Sequence, residues 1–165
     1  MELVDVYDKH NNFVRTQLRF GTKSYNEFNK TVHAYIINDK NELLIQKRSD
    51  NKRENPGKWE AVGGAVAPDE DSLTAITREI KEEINKDVDT DDIEYIGTVR
   101  YPGYIADVYV LTCNDSIDSF KILEEEVSDI KWATLEDIDN LKQNDSFYSS
   151  SFNYFKNYYW KHLNK

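Results

Sequence analysis

Between Gly63 and Glu83 the chain sets a double glycine, an acidic residue, and an arginine followed by three glutamates at fixed intervals. This stretch constrains the fold more tightly than any other. At about 100° per residue, Leu73, Ile76, Ile80 and Ile84 fall on one face of a helix, and Glu79, Glu82 and Glu83 share an adjoining sector. Like charges on neighbouring turns repel by a few tenths of a kcal/mol when exposed, and by more when partly buried. The pattern therefore predicts a cation among the carboxylates, and a divalent metal ion is the natural one. Oxygen ligands of this kind suit hard ions such as Mg²⁺ or Mn²⁺.

The spacing resembles the defining box of the Nudix hydrolases. That box reads Gly, five residues, Glu, seven residues, Arg-Glu, an apolar residue, any residue, Glu-Glu, any residue, Gly, apolar. Gly64, Glu70, Arg78, Glu79, Ile80, Glu82 and Glu83 match it in register. Asn85 and Lys86 depart from it, standing where a glycine and an apolar residue are expected. Asparagine tolerates the left-handed backbone that a helix exit requires, so the turn is expected to survive. Pro56-Gly57-Lys58-Trp59-Glu60 also resembles the run that precedes the box in this family, which extends the likeness from about Val32 to Lys86. An ordinary glutamate-rich surface helix accounts for the charge but neither for Gly63-Gly64 nor for Arg78.

The resemblance implies an α/β chain with the Nudix fold, an α/β/α sandwich around a central mixed sheet. It further implies metal-dependent cleavage of a phosphoanhydride bond in a nucleoside diphosphate linked to another moiety X. By the same carry-over Glu79, Glu82 and Glu83 are the metal ligands, helped by a backbone carbonyl of Gly63 or Gly64. Arg78 orients Glu79, and Glu70 ties down the loop. The general base stays open among Glu79, Glu125 and Glu126.

Composition narrows the partners. A net charge of −10 in 165 residues argues against general affinity for nucleic acid or anionic membranes. An anionic substrate needs local help, and Lys47, Arg48, Lys52, Arg53 and Lys58 outnumber Asp50 and Glu54 just before the box. Arg48, Lys52, Arg53 and Lys58 are the candidate phosphate-binding residues, Arg48 foremost because a guanidinium grips phosphate oxygens in pairs. The partner expected is a small nucleoside diphosphate derivative. No Pro/Gly/Ser-rich linker divides the chain, which reads as one domain spanning 1–165. No apolar run approaches a membrane span, the start lacks a signal-peptide pattern, and Cys113 is the only cysteine. A reducing cytoplasm is the expected compartment.

Periodicity predicts an N-terminal hairpin extension over residues 1–30, with Glu2–Tyr7 and Phe13–Arg19 as its strands. Buried-type strands follow at Val32–Ile37 and Leu43–Lys47, and a short strand from Trp59 runs into a glycine turn at Gly63-Gly64. Further strands are expected at Glu94–Arg100, Ala106–Thr112 and Val127–Trp132, then a helix from a Thr134 cap to Leu141. An aromatic helix is expected over 142–165, with Tyr148, Phe152, Phe155, Tyr159 and Leu163 as its core stripe. Tyr104 reads as a turn tyrosine, with stacking on a base as the sharper alternative. The hairpin and the tail are the surfaces suited to a homodimer.

Two other functions compete. The opening hairpin, Thr31-Val32-His33 and Leu44–Ser49 resemble the isopentenyl diphosphate isomerase branch of the same superfamily, which uses several histidine ligands and a cysteine acid. Only His33 matches here: Asn29, Ala65 and Ala61-Val62 stand near the other positions, and Cys113 lies far along the chain. A non-catalytic Nudix-like binding module is the other, but such a module is expected to lose carboxylates whose crowding costs stability, and this box keeps them all.

Overall fold

A computed structural model describes residues 2–163, the side chains of Trp160 and Leu163 excepted. Strands β1 (Leu3–Asp8) and β2 (Phe13–Leu18) form the antiparallel N-terminal hairpin, followed by β3 (Glu27–Ile37), β4 (Leu43–Arg48), β5 (Trp59–Glu60) and β6 (Val62–Ala65). Helix α1 (Ser72–Ile84) carries the acidic cluster. Strands β7 (Glu94–Tyr101), β8 (Tyr104–Thr112) and β9 (Val127–Ala133) come next, then helices α2 (Leu135–Gln143) and α3 (Phe152–Leu163).

Strand β3 organises the sheet. Along one edge it runs parallel to β8, from Asn29 opposite Tyr104 to Ile37 opposite Thr112. It also pairs antiparallel with β1, with β6 (Thr31 opposite Ala65 through Ala34 opposite Val62) and with the start of β4. β7 extends the sheet beyond β8, and β9 extends it beyond β4. The sheet is mixed and open.

The period-2 alternation of side chains sends β3 and its neighbours into two cores. Val32, Ala34, Ile36, Leu44 and Leu111 meet Ala75, Ile76, Ile80 and Ile84 of α1, the helix face read from the sequence. The alternate residues Tyr35, Leu43, Ile45 and Val108 meet Ile138 of α2 and Phe152, Phe155 and Tyr159 of α3. A sheet with helices on both faces is the α/β/α sandwich that was expected. Each fully buried aliphatic side chain contributes about 1.5–3 kcal/mol, so the two layers hold α1 rigidly against the sheet.

Both ends of α1 are capped, the C-terminal one by Asn85 as expected. The Asp71 side chain accepts a hydrogen bond from the Thr74 amide at 2.7 Å. Asn85 takes the left-handed conformation (φ 55°, ψ 38°), and its N–H reaches the Lys81 carbonyl. The departure from glycine therefore keeps the helix exit.

Three expectations need correction. Strand β3 starts at Glu27, five residues before the apolar run, because Asn29 is buried with its polar groups satisfied: it accepts from Lys23 Nζ at 2.6 Å and donates to the Asp5 carbonyl at 3.0 Å. Gly63 and Gly64 form no turn; both lie inside β6, and close approach is what excludes a side chain there. A Cβ on Gly63 would sit 2.2 Å from the Val32 carbonyl oxygen. Finally, the aromatic helix begins at Phe152 and not at 142. Lys142 and Gln143 end α2, while Phe147 and Tyr148 join the edge of β5 through hydrogen bonds from Trp59 N to Ser146 O (2.8 Å) and Tyr148 N to Trp59 O (2.9 Å). Tyr148 thus leaves the buried stripe, to which Phe152, Phe155 and Tyr159 belong; the side chain of Leu163 lies outside the described residues.

Candidate active site

Arg78 is the hub of the acidic helix. Its Nε and Nη2 grip the two carboxylate oxygens of Glu70 at 2.8 and 3.0 Å, a bidentate pair, and Nη2 also reaches the Ala65 carbonyl at 3.0 Å. Nη1 donates to Glu79 Oε1 at 2.8 Å and to Glu82 Oε2 at 3.2 Å. Glu70 in turn accepts from the Ala67 amide at 2.8 Å, so one guanidinium fastens the loop, strand β6 and helix α1 together. The Arg78 hydrogen bond holds the Glu70 carboxyl below the usual range. Part of the cation demanded by the glutamate cluster is therefore supplied from within.

Glu79 and Glu83 are buried, whereas Glu82 is half exposed. A Cβ on Gly64 would stand 2.3 Å from the Glu79 carboxyl carbon, so glycine is what lets that carboxylate lie against the strand. Glu83 accepts from Gln46 Nε2 at 2.7 Å and from the Gly63 amide at 3.2 Å. Burial pushes Glu79 up to about 7 against the opposing pull of Arg78. Burial, then the nearby charges of Glu79 and Glu60, push Glu83 well above the ordinary carboxylate value. Among the described residues no three acidic, histidine or cysteine side chains already converge as a metal cage. What is present is a crowded pair of buried carboxylates, and beside them the buried Gln46 Oε1, which lacks a hydrogen-bond partner among the described residues. All of these donors are oxygens, which fits a hard divalent cation.

Gly63 and Gly64, against which these two carboxylates lie, line a cavity of about 400 Å³ together with His33, Arg48 and Glu60. Arg48 Nη1 pairs with Glu60 Oε1 at 2.9 Å, and its Nε donates to the Glu54 carbonyl at 2.8 Å. The other predicted phosphate ligands point elsewhere. Lys52 pairs with Glu126, Lys58 pairs with Asp145 at 2.9 Å, and Arg53 lies 4.6 Å over the Phe20 ring; none of the three lines the cavity. Glu125 is exposed, and neither it nor Glu126 is part of the lining.

Several lining residues escaped the sequence reading. Arg19, from the end of the N-terminal hairpin, reaches the cavity while paired with Glu2 at 2.8 Å. Tyr101 and Tyr148 form much of the remaining wall together with Tyr104, which the sequence already offers as a turn tyrosine or a base-stacking one. Glu60 also lines the cavity, and Gln46 Nε2 lies 3.5 Å from Glu60 Oε1. A signal for Gln46 existed: it shares the strand face of Leu44, where an amide has no place in a plain core.

The isomerase pattern finds no support in the placement. His33 Nδ1 is 2.6 Å from Ser151 Oγ, and desolvation pulls its imidazole down to about 4, so it stays neutral. Cys113 is buried in the core beneath α1 and does not line the cavity. Among the described residues His33 is the only histidine in the cavity wall.

An open mixed sheet lies between helices, and a loop–helix clusters glutamates around one arginine behind the two glycines that line the cavity. Residues 27–155 match the NUDIX domain model, and the chain belongs to the Nudix family of hydrolases acting on phosphoanhydride bonds. It is 28% identical over 149 residues to an uncharacterised Nudix hydrolase of Listeria innocua, covering 89% of this chain and 88% of that protein. A Deinococcus radiodurans crystal structure superposes with a TM-score of 0.78 at 22% identity, covering 92% of this chain and 94% of the other. A bifunctional NMN adenylyltransferase/ADP ribose pyrophosphatase from Francisella tularensis, crystallised with AMP and manganese, gives a TM-score of 0.61 at 20% identity, over 78% of this chain and 40% of that one. Among the described residues no helix is long and apolar enough to cross a membrane.

Proposed function

We propose that this chain is a metal-dependent pyrophosphohydrolase that cleaves a phosphoanhydride bond of a nucleoside diphosphate linked to a second moiety. The observation that carries the reading is the buried Glu79 and Glu83 pair lying against Gly63 and Gly64 in the wall of a cavity that Arg48 also lines. Two carboxylates this crowded and this dry are costly alone and favourable around a cation.

Glu79, Glu83 and the more exposed Glu82, with the Gly64 carbonyl, would hold Mg²⁺ or Mn²⁺. When bound, such an ion neutralises phosphate charge and lowers the pKa of a coordinated water. The chain's own groups do the rest. Arg48 grips a non-bridging phosphate oxygen with the part of its fork that Glu60 and Glu54 leave free. Arg78 fixes Glu79 by holding Oε1, which leaves Oε2 to take a proton from the attacking water. Of the residues considered as base, Glu79 is the one that lies against a cavity-lining residue, Gly64. The water attacks one phosphorus, the bridging oxygen leaves with the other phosphate, and the proton ends on Glu79.

The test is phosphate-product release from nucleotide sugars, dinucleoside polyphosphates, ADP-ribose, NADH, nucleoside triphosphates and isopentenyl diphosphate, with Mg²⁺ or Mn²⁺, beside Glu83→Gln. Turnover of at least one nucleotide substrate, lost in the variant and in chelator, is the expected result. Silence on every nucleotide, or activity indifferent to Glu83, overturns the reading.

A further inference from the structure

The three tyrosines of the cavity wall are not equivalent. Tyr104 is fully engaged: its ring stacks on Tyr101 (centroids 5.2 Å apart, 21° between planes), Lys23 Nζ lies 4.2 Å from its centroid, and its hydroxyl donates to Glu54. Lys23 is itself locked by the Asn29 side chain and the Gly103 carbonyl at 2.6 and 2.7 Å. Tyr101 is stacked as well, with its hydroxyl 3.3 Å from Thr31 Oγ1. Tyr104 thus has both faces occupied, and Tyr101 has one face taken by Tyr104.

Tyr148 differs. Its side chain is 46% exposed in the cavity wall, and among the described residues its ring has no aromatic or cationic partner and its hydroxyl no hydrogen bond. Yet its backbone is held firmly. The Tyr148 amide donates to the Trp59 carbonyl at 2.9 Å, and the next residue, Ser149, meets the Tyr35 hydroxyl at 2.8 Å. An exposed aromatic ring on a fixed mount, facing the same cavity as Arg48 and Gly64, is preorganised for a planar ligand: ordering costs little when the platform is already in place.

We infer that Tyr148 is the stacking platform for the nucleobase of the substrate, so that the enzyme selects diphosphates bearing a base over those bearing only a sugar or an alkyl group. The inference rests on the proposed function for the identity of the cavity and adds the residue that reads the base. Stacking on an aromatic side chain tolerates any base, because each presents a π-face. Selectivity is therefore expected between base and no base rather than among the four bases.

The test measures binding of AMP, GMP, CMP and UMP, and of ribose 5-phosphate, to the full chain by calorimetry, for wild type, Tyr148→Phe and Tyr148→Ala. Expected is nucleotide binding that Tyr148→Ala weakens by about 5- to 150-fold, that Tyr148→Phe retains, and a ribose 5-phosphate affinity unchanged in all three. In turnover Tyr148→Ala should raise KM for nucleotide substrates and leave kcat alone. Equal nucleotide affinity in wild type and Tyr148→Ala, an equal loss for ribose 5-phosphate, or no nucleotide binding to wild type overturns the inference. The two readings fail separately. Hydrolysis of nucleotides indifferent to Tyr148 sinks this inference alone, and Tyr148-dependent nucleotide binding without hydrolysis sinks the catalytic reading alone.

Discussion

The two walls of the cavity are built by opposite means. The acidic wall, which meets the cavity through Gly63 and Gly64, comes from one continuous stretch, Gly63 to Glu83, in which each partner of Arg78 lies within 13 residues of it in sequence. The facing wall is gathered from Arg19, Arg48, Glu54, the 101–104 turn and the 148–150 segment, residues brought together only by the fold. The difference teaches where function is robust and where it is free to vary. A wall whose geometry is set by helix periodicity and one ion-pair hub keeps its chemistry wherever the helix forms. A wall assembled from loops can change its ligand without touching that chemistry.

The largest effects should follow from injuring the local wall. Gly64→Ala forces a methyl group to within 2.3 Å of the Glu79 carboxyl carbon, and Glu83→Gln removes one of the two buried charges. Each is expected to lower turnover by about 100-fold or more, at or above the upper end for misplaced metal-supporting groups, with the fold retained by circular dichroism. Stability should move the other way for Glu83→Gln without metal. Glu79 and Glu83 both have pKa values raised in the folded chain, so their favourable contribution is complete below the unfolded value near 4.5 and is lost as pH rises through about 7 for Glu79. Metal-free protein should therefore melt at progressively lower temperature from pH 4.5 to 7.5. Mg²⁺ or Mn²⁺ should flatten the profile, and a flat profile without metal would mean the pair is not crowded.

Arg78→Ala comes next. The change unties Glu70, Ala65, Glu79 and Glu82 together, but Arg78 is about one third exposed, so solvent screens part of the loss. A destabilisation of about 2 kcal/mol is expected in urea titration. Arg78→Lys should recover little of it, because an ammonium cannot reproduce the fork to Glu70. Recovery by lysine would show that charge, and not the planar hub, organises this wall.

The same contrast explains what the sequence disclosed. The helix face and the left-handed exit at Asn85 follow from local spacing, the role of Arg78 as a carboxylate partner follows from the resemblance to the box, and all three were legible. The basic run was legible as composition but not as geometry. Arg48 reaches the cavity because it ends β4, whereas Lys52, Arg53 and Lys58 sit on a loop where each finds a nearer partner in Glu126, Phe20 or Asp145. No periodicity encodes such pairings. Tyr148 was assigned to a helix stripe because aromatics at four-, three- and four-residue spacing satisfy it, and only the pairing of residues 146–148 with Trp59 diverts the chain. Arg19 carried no signal at all, since a hairpin end acquires meaning only when it docks.

Single substitutions in the basic run should separate the two walls further. Arg48→Ala is expected to raise KM for the best substrate about 10-fold, the value of one charge-assisted hydrogen bond. Lys52→Ala, Arg53→Ala and Lys58→Ala should each change it by less than about twofold, as exposed pairs are worth little. A tenfold effect at Lys52 or Arg53 would mean that the 49–58 loop closes over bound substrate, and that the far wall is completed only by the ligand.

The smallest effect should come from restoring the family pattern at the helix exit. Asn85 occupies the left-handed region at φ 55°, a conformation glycine adopts without a Cβ penalty and asparagine with a small one. Asn85→Gly is therefore expected to stabilise the chain by about 0.5 kcal/mol in thermal or urea unfolding and to leave kcat and KM unchanged. Lys86 is held at 2.6 Å by Asp115, so the second departure from the box places an ion pair at the same junction. If Asn85→Gly instead altered turnover, the position of Glu82 and Glu83 in the last turn would have to depend on how α1 ends. The local wall would then be less self-contained than its spacing implies.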